Sequence, residues 1–258
     1  MLNYIKSEFY RVFHGKEVYV ITLTLSGLLL AMNLALFAFD RLTPNFPYAI
    51  VRFSMNTLTS SMSFLFIAAL IIVGFLFSDE YKNGTMKNVF AFGISRKSFF
   101  TGKCIVCGTM ALASMTVILA VYVGSTYLLL NEPESLPLEQ LLKGIVSTLP
   151  AAFAALILAA ALFCIFKKEG TAVLCWLGII WGIPTACFFL GLKINWIGKV
   201  ASWMPWNYLN HEVQVTWSDY QCLWNTAEGL TKSIIAGVIG MIVFYTAGVI
   251  CLKRRDIA

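Results

Sequence analysis

The 258-residue chain is 59% hydrophobic and only 12% charged, with a formal net charge of +6. A soluble domain carries about 25% charged residues, so this chain cannot cover itself with polar surface and water is not its main solvent. Its bases sit in short segments between apolar runs instead of forming a stripe on a polar domain, which argues against nucleic acid as a partner.

Residues 1–17 open the chain as an amphipathic helix. Leu2, Ile5, Phe9, Val12 and Phe13 recur at helical spacing, with Lys6, Glu8 and Arg11 elsewhere on the helix. Such a helix lies in the headgroup region, or serves as a simple lead-in, before the chain turns into the membrane. Six charge-free stretches follow, each close to the roughly 20 residues a bilayer span requires. They run over residues 18–39, 60–77, 105–129, 145–166, 171–190 and 234–252. The first run is too long for a cleaved signal peptide and lacks a small-residue exit. Unbroken apolar runs also exclude a barrel of alternating strands. The expectation is an all-α integral membrane protein built as one transmembrane domain over residues 1–258.

Orientation follows from the bases. With both termini in the cytoplasm, the inside segments hold Lys6, Arg11, Lys16, Lys82, Lys87, Arg96, Lys97, Lys103, Lys167, Lys168, Lys253, Arg254 and Arg255. The outside segments hold only Arg41, Arg52, Lys143, Lys193, Lys199 and Lys232. In the fourth span, Ala151, Ala155 and Ala159 form a small-xxx-small series. Gly178 and Gly182 form a GxxxG in the fifth. Both patterns permit close helix approach, and packing within the chain is the expected use. Pro150 and Pro184 are candidate kinks.

Residues 191–233 form the longest outside segment. Its stretch WIGKVASWMPWNYL is too apolar for a solvated loop and too broken for a span. Short helices lying in, or dipping into, the outer interface fit it, with Trp203, Trp206 and Tyr208 as candidates for an outer gate. An ordinary aromatic belt fits equally well.

Several chemistries are missing from the sequence. None of the six stretches contains Asp, Glu, Lys, Arg or His, so no ion-coupling residue is expected inside the membrane. The chain lacks GxxxxGK[ST] and HExxH. His14 and His211 fall on opposite sides, and no nucleophilic set can be argued. No catalytic, cofactor-binding or metal residue is therefore expected. Cys104 and Cys107 form a CxxC without a second ligand pair, and the other cysteines read mostly as small apolar residues.

The segment between the second and third spans, residues 84–98, carries structure of its own. Thr85 can cap a short helix that ends at Gly93. Met86, Val89, Phe90 and Phe92 supply an apolar side, with Lys87 and Asn88 on another. Ser95 can cap the helix that follows. Two turns of helix are not stable alone, so this element needs a surface to pack on, either lipid headgroups or a cytoplasmic protein.

The stretch FSDEYKNGTMKNVFAFGISRKSFFTGK, over residues 77–103, resembles the region after the second span in permeases of type 2 ABC exporters. The closing LKRRDIA, the six spans, the amphipathic start and the outer element before the last span are similar to that family as well. The resemblance implies one transmembrane half of an exporter, not itself an enzyme, in a bacterial cell membrane. That half would pair with a second permease copy, as a homodimer, and with a separate cytoplasmic ABC ATPase that holds ATP and magnesium. The helix of Thr85, Met86, Lys87, Val89, Phe90 and Phe92 would be the coupling helix seated on the ATPase. Asp79 and Glu80 match the acidic position before it and Arg96 the basic one after it, with a local ion pair expected between them. Uncharged, aromatic spans suit a hydrophobic or amphipathic cargo, such as a peptide toxin, an antimicrobial peptide or a drug. The alternative is a non-transporting sensor or structural subunit that recruits a cytoplasmic partner.

Overall fold

Helix α1 (Leu2–His14) has three sides. Tyr4, Glu8 and Val12 recur every four residues and are buried, Leu2 and Phe13 are exposed apolar residues, and Lys6, Ser7 and Tyr10 lie on the remaining side. Glu8 is thus not on the outward polar side that the sequence pattern suggests; it faces the protein. The computed structural model describes residues 2–44, 46–83, 89, 93–166, 168–216 and 219–254, without the side chains of residues 78–83.

Helix α2 (Glu17–Leu42) follows and buries few residues, among them Ile21, Ser26 and Asn33. Helices α3 (Val51–Ser60) and α4 (Phe64–Asn83) then meet at a 70° bend. The sequence reading begins a span at Ser60 and overlooks α3. Arg52, Asn56 and several hydroxyls interrupt its apolar run, so it is legible only as part of a folded whole. The turn between the two helices tightens into i→i+3 bonds, with Phe64 N–H donating to the Ser61 carbonyl at 2.9 Å and Leu65 N–H to Met62 at 3.1 Å.

Helix α5 (Arg96–Leu129) has 34 residues. At 1.5 Å per residue it is about 50 Å long, well beyond a hydrocarbon core of about 30 Å. Its first turns therefore extend past the core on the side where α1 lies. Helix α6 (Leu136–Ile165) runs unbroken through Pro150 and forms the centre of the bundle. Of its most apolar stretch, 67% is buried. Ala151, Ala155 and Ala159 are all buried there, and Trp176 donates its indole N–H to the Ala155 carbonyl at 2.9 Å. The small residues of the fourth span thus serve packing within the chain.

The fifth span is α7 (Glu169–Leu177), a π turn (Gly178–Gly182) and α8 (Ile183–Gly191). Pro184 has no N–H to donate back into this turn, which accounts for the irregular ladder just before it. Only 11% of the apolar stretch of this span is buried. Among the described residues, nothing beyond its own helix backbone approaches within 4 Å of where a Gly178 side chain would begin. The GxxxG thus departs from the within-chain use expected of it.

Helices α9 (Asn195–Ser202) and α10 (Pro205–His211) pack beside α8. A small antiparallel hairpin pairs β1 (Gln214–Val215) with β2 (Tyr220–Gln221), and α11 (Ala227–Arg254) closes the bundle. A side chain at Gly237 of α11 would meet the Pro150 Cβ at 2.5 Å, so these two helices cross in backbone contact. Among the described residues five helices are long and apolar enough to cross a membrane, and six spans result when α3 and α4 are taken as one. The chain is an all-α integral membrane protein apart from that small hairpin.

The loops sort into two ends by their contacts. At one end Ala49 and Val51 exchange backbone bonds with Asn131, Arg52 pairs with Glu134 at 2.6 Å, and Ser63 donates to Asn210. At the other end α1 meets the end of α4 and the start of α5, and Arg96 reaches the end of α11.

Candidate functional site

The sequence points to the segment after α4, and the structure shows what frames it. Within the expected coupling helix, Thr85, Met86, Lys87, Phe90 and Phe92 lie outside the described residues, as do the side chains of Asp79 and Glu80. Val89 is described: it is half-buried and packs against the apolar core. Gly93 adopts φ +80°, a left-handed conformation that ends helices and that glycine takes without steric cost. Ser95 then caps α5 by accepting from the Ser98 N–H at 3.1 Å.

Arg96 begins α5 and donates to the carbonyls of Leu252 (2.9 Å) and Lys253 (2.8 Å) at the end of α11. The last carbonyls of a helix lack partners within it and carry partial negative charge. A guanidinium satisfies both conditions and ties the exit of the segment to the last span. One turn on, the Thr101 hydroxyl lies 2.7 Å from that of Tyr245 in α11. The Phe100 and Tyr245 rings pack at 5.6 Å.

On the other flank, α1 crosses the start of α5. A side chain at Gly102 would lie 2.8 Å from the Tyr4 ring, so glycine there lets the helices touch. Lys103 is 2% exposed and places its ammonium 2.6 Å from the Glu8 carboxylate. The aromatic rings of Phe77 in α4 and Phe99 in α5 lie 5.3 Å and 5.7 Å from the same ammonium. Arg11 is 3.0 Å from the Glu8 carboxylate and donates to the Leu76 carbonyl at 3.3 Å. Burial pushes the Glu8 carboxyl up, but Lys103 and Arg11 outweigh it and hold the group below the usual carboxylate range. The geometry of the pair fixes α1 at once to the end of α4 (Leu76, Phe77) and to the start of α5 (Phe99, Lys103).

Sequence reasoning missed this pair. It counts Lys103 among the cytoplasmic bases ahead of the third span, on the helix that Ser95 caps; in the structure Lys103 is enclosed on that helix. The available signal was Glu8 midway between Tyr4 and Val12 on one helical face, together with a lysine directly after Gly102, the one glycine in the first two turns of α5.

The three candidates for an outer gate do not share one surface. Trp203 is 48% exposed and Trp206 half-buried, while Tyr208 is fully buried. The Tyr208 hydroxyl lies 3.2 Å from that of Ser233 in α11, and the Lys232 ammonium sits 5.6 Å from its ring. Burial pushes the Tyr208 phenol up to about 12. Beside it, Asn207 donates to the carbonyls of Pro184 (2.8 Å) and Ala201 (3.0 Å), which anchors α10 to α8 and α9. Among the described residues no three His, Cys, Asp or Glu side chains gather as a metal site.

A comparison with curated proteins finds no match. A family profile described as "ABC-2 family transporter protein" matches residues 4–185. This stretch takes in most of α1, then α2, the bent second span, the segment after it, α5, α6 and the fifth span as far as Thr185. The chain belongs to the ABC-2 transporter family and is a multi-pass membrane permease component of an ABC transporter.

Proposed function

We propose that the chain is the permease half of an ATP-driven exporter for a hydrophobic or amphipathic cargo, such as a peptide toxin, an antimicrobial peptide or a drug. Two copies pair with two separate ATPase subunits, and the helix from Thr85 to Phe92 seats on the ATPase. Both termini face the cytoplasm, in keeping with the distribution of bases. ATP binding draws the ATPases together, displaces the coupling helices, and the displacement passes through α1, α5 and α11 to open the pathway alternately to each side.

The observation that carries this reading is the framing of residues 84–95. The entry is tied to α1 where Arg11 donates to the Leu76 carbonyl, and the exit is tied to α1 through Lys103 and Glu8 and to α11 through Arg96. A loop with no mechanical task needs no such attachment. The second copy packs on the exposed apolar face of the fifth span, where Leu174, Trp181 and Phe189 are all more than half exposed.

The test is purification from gently solubilised membranes with the co-purifying ATPase identified and its hydrolysis assayed. The wild-type chain is expected to retain a stoichiometric ATPase. Phe90→Ala, Lys87→Glu and Arg96→Glu are expected to insert normally but to lose ATPase stimulation or transport. Transport unaffected by all three would remove the coupling role. Absence of any ATPase, where a known exporter keeps its own, would favour a sensor or structural subunit.

A further inference from the structure

Five helices, α2 to α6, line a half-open apolar cavity of about 320 Å³ at the α3–α4 bend. It exists because small residues stand where larger ones would fill the space: Ala68 and Ala69 on α4, Ala111 on α5, Ala152 on α6. Protein interiors are close-packed, and an engineered apolar hole of about 150 Å³ already takes up benzene. A hole of about twice that size, opening within a membrane, will hold hydrocarbon.

The cavity is elongated. Its wall on α5 extends from Ala111 to Tyr122, about 16 Å at 1.5 Å per residue. That is about half of a hydrocarbon core of about 30 Å, the depth of one leaflet. Its polar groups gather toward one end, where Thr57 and Ser61 are exposed beside the bend. This is where the ester and glycerol of a lipid would meet hydroxyls. The volume lies near the lower limit for ligand pockets, which suits one chain better than a folded peptide.

We propose that the cavity is a binding site for a single acyl chain of a bilayer phospholipid, distinct from any cargo pathway between two copies. The chain fills the angle between α3 and α4 and supports the 70° bend of the span that leads into the coupling segment.

The test uses the full-length protein in vesicles of phosphatidylethanolamine and phosphatidylglycerol, doped with phosphatidylcholine that carries a mid-chain diazirine. After photolysis, adducts are mapped by peptide mass spectrometry. Adducts are expected on the cavity wall at Met62 and Met115, in addition to the lipid-facing Leu23 and Ile242. Ala69→Phe, Ala152→Leu and the milder Ala111→Leu, each checked for a monodisperse elution profile, are expected to lose the wall adducts and keep those at Leu23 and Ile242. Wall adducts that persist in every filled variant overturn the proposal, as does their absence from the wild type, which needs no variant to fold. A diazirine-labelled free fatty acid forms the second arm. Wall labelling by the free acid but not by the phospholipid overturns the assignment to a bilayer lipid in favour of a single-chain amphiphile.

Discussion

Two polar clusters hold this bundle together, and they differ in kind. Where α1 meets α5, Glu8, Lys103 and Arg11 bury charge among the rings of Phe77 and Phe99. Deeper in the bundle, Asn33 of α2, Ser54 of α3 and Tyr122, Ser125 and Thr126 of α5 form a neutral network. The Asn33 amide donates to the hydroxyls of Ser125 (2.8 Å) and Thr126 (2.9 Å), Ser54 donates to the Asn33 carbonyl oxygen at 2.8 Å, and Tyr122 donates to the Ser54 carbonyl at 2.6 Å. Their positions explain the difference. The neutral cluster sits inside the spans, where a charge is expensive, and hydroxyls can fall back on their own helix. Ser125 and Thr126 both also donate to the Tyr122 carbonyl. The charged cluster sits at the rim, where water or headgroups accept whatever the pair releases. The neutral cluster fixes the tilt of α3; the charged one joins α1 to α4 and α5.

The largest effect should come from breaking the charged cluster on one side only. Lys103→Met leaves the buried Glu8 carboxylate with Arg11 in place of two cationic partners, and losing one partner of a buried pair costs up to about 3–5 kcal/mol. Thermal unfolding in detergent, followed by size-exclusion recovery, should show a marked drop. The double variant Glu8→Gln with Lys103→Met removes both charges and should regain most of the loss. If it does not, the pair is not what holds α1.

The neutral cluster should yield less. A double-mutant cycle of Asn33→Ala with Ser54→Ala should give a coupling near the roughly 0.6 kcal/mol typical of hydrogen bonds between membrane helices. A coupling as large as that between Glu8 and Lys103 would erase the distinction drawn between the two clusters.

The contrast also marks the limit of what the sequence reveals. Charge-free runs are legible because lipid requires them, and the capping of α5 by Ser95 after Gly93 follows from local chemistry. Burial is another matter. The central α6 and the peripheral fifth span have similar apolar composition, yet 67% of one stretch and 11% of the other are buried. Lipid tails and packed side chains are equally apolar, so composition cannot distinguish a neighbour from the bilayer. Nor could it reveal α3, whose Ser54 looks like an interruption until Asn33 is seen opposite. Glu8 and Lys103 are 95 residues apart, and only the crossing at Gly102 brings them together.

A third prediction concerns reactivity at the opposite end of the molecule. Cys222 is buried, and burial followed by the nearby Asp219 pushes its thiol up to about 11. At pH 7.5 it should react with maleimide far more slowly than the exposed Cys251, as read by intact mass after timed quenching. Equal rates would show that the hairpin region opens freely.

The smallest effect separates the clusters by pH. Only the charged one contains a group whose folded pKa is shifted downward from 4.5 by its partners. A carboxyl of that kind stabilises the folded state above its unfolded pKa and loses the contribution as pH falls through the lower, folded value. Between pH 7 and pH 5.5 the contribution of Glu8 should therefore be fully present, and the melting temperature should hardly change with pH on its account. Below about pH 4.5, a reference value for the free carboxyl, the wild type should begin to lose stability that Glu8→Gln never had, so the gap between them narrows with acid. Asn33→Ala contains no altered titratable group, and its curve should run parallel to that of the wild type throughout. A wild type that held its advantage over Glu8→Gln to pH 3 would mean that the carboxyl contributes by packing and hydrogen bonding and that its charge is incidental.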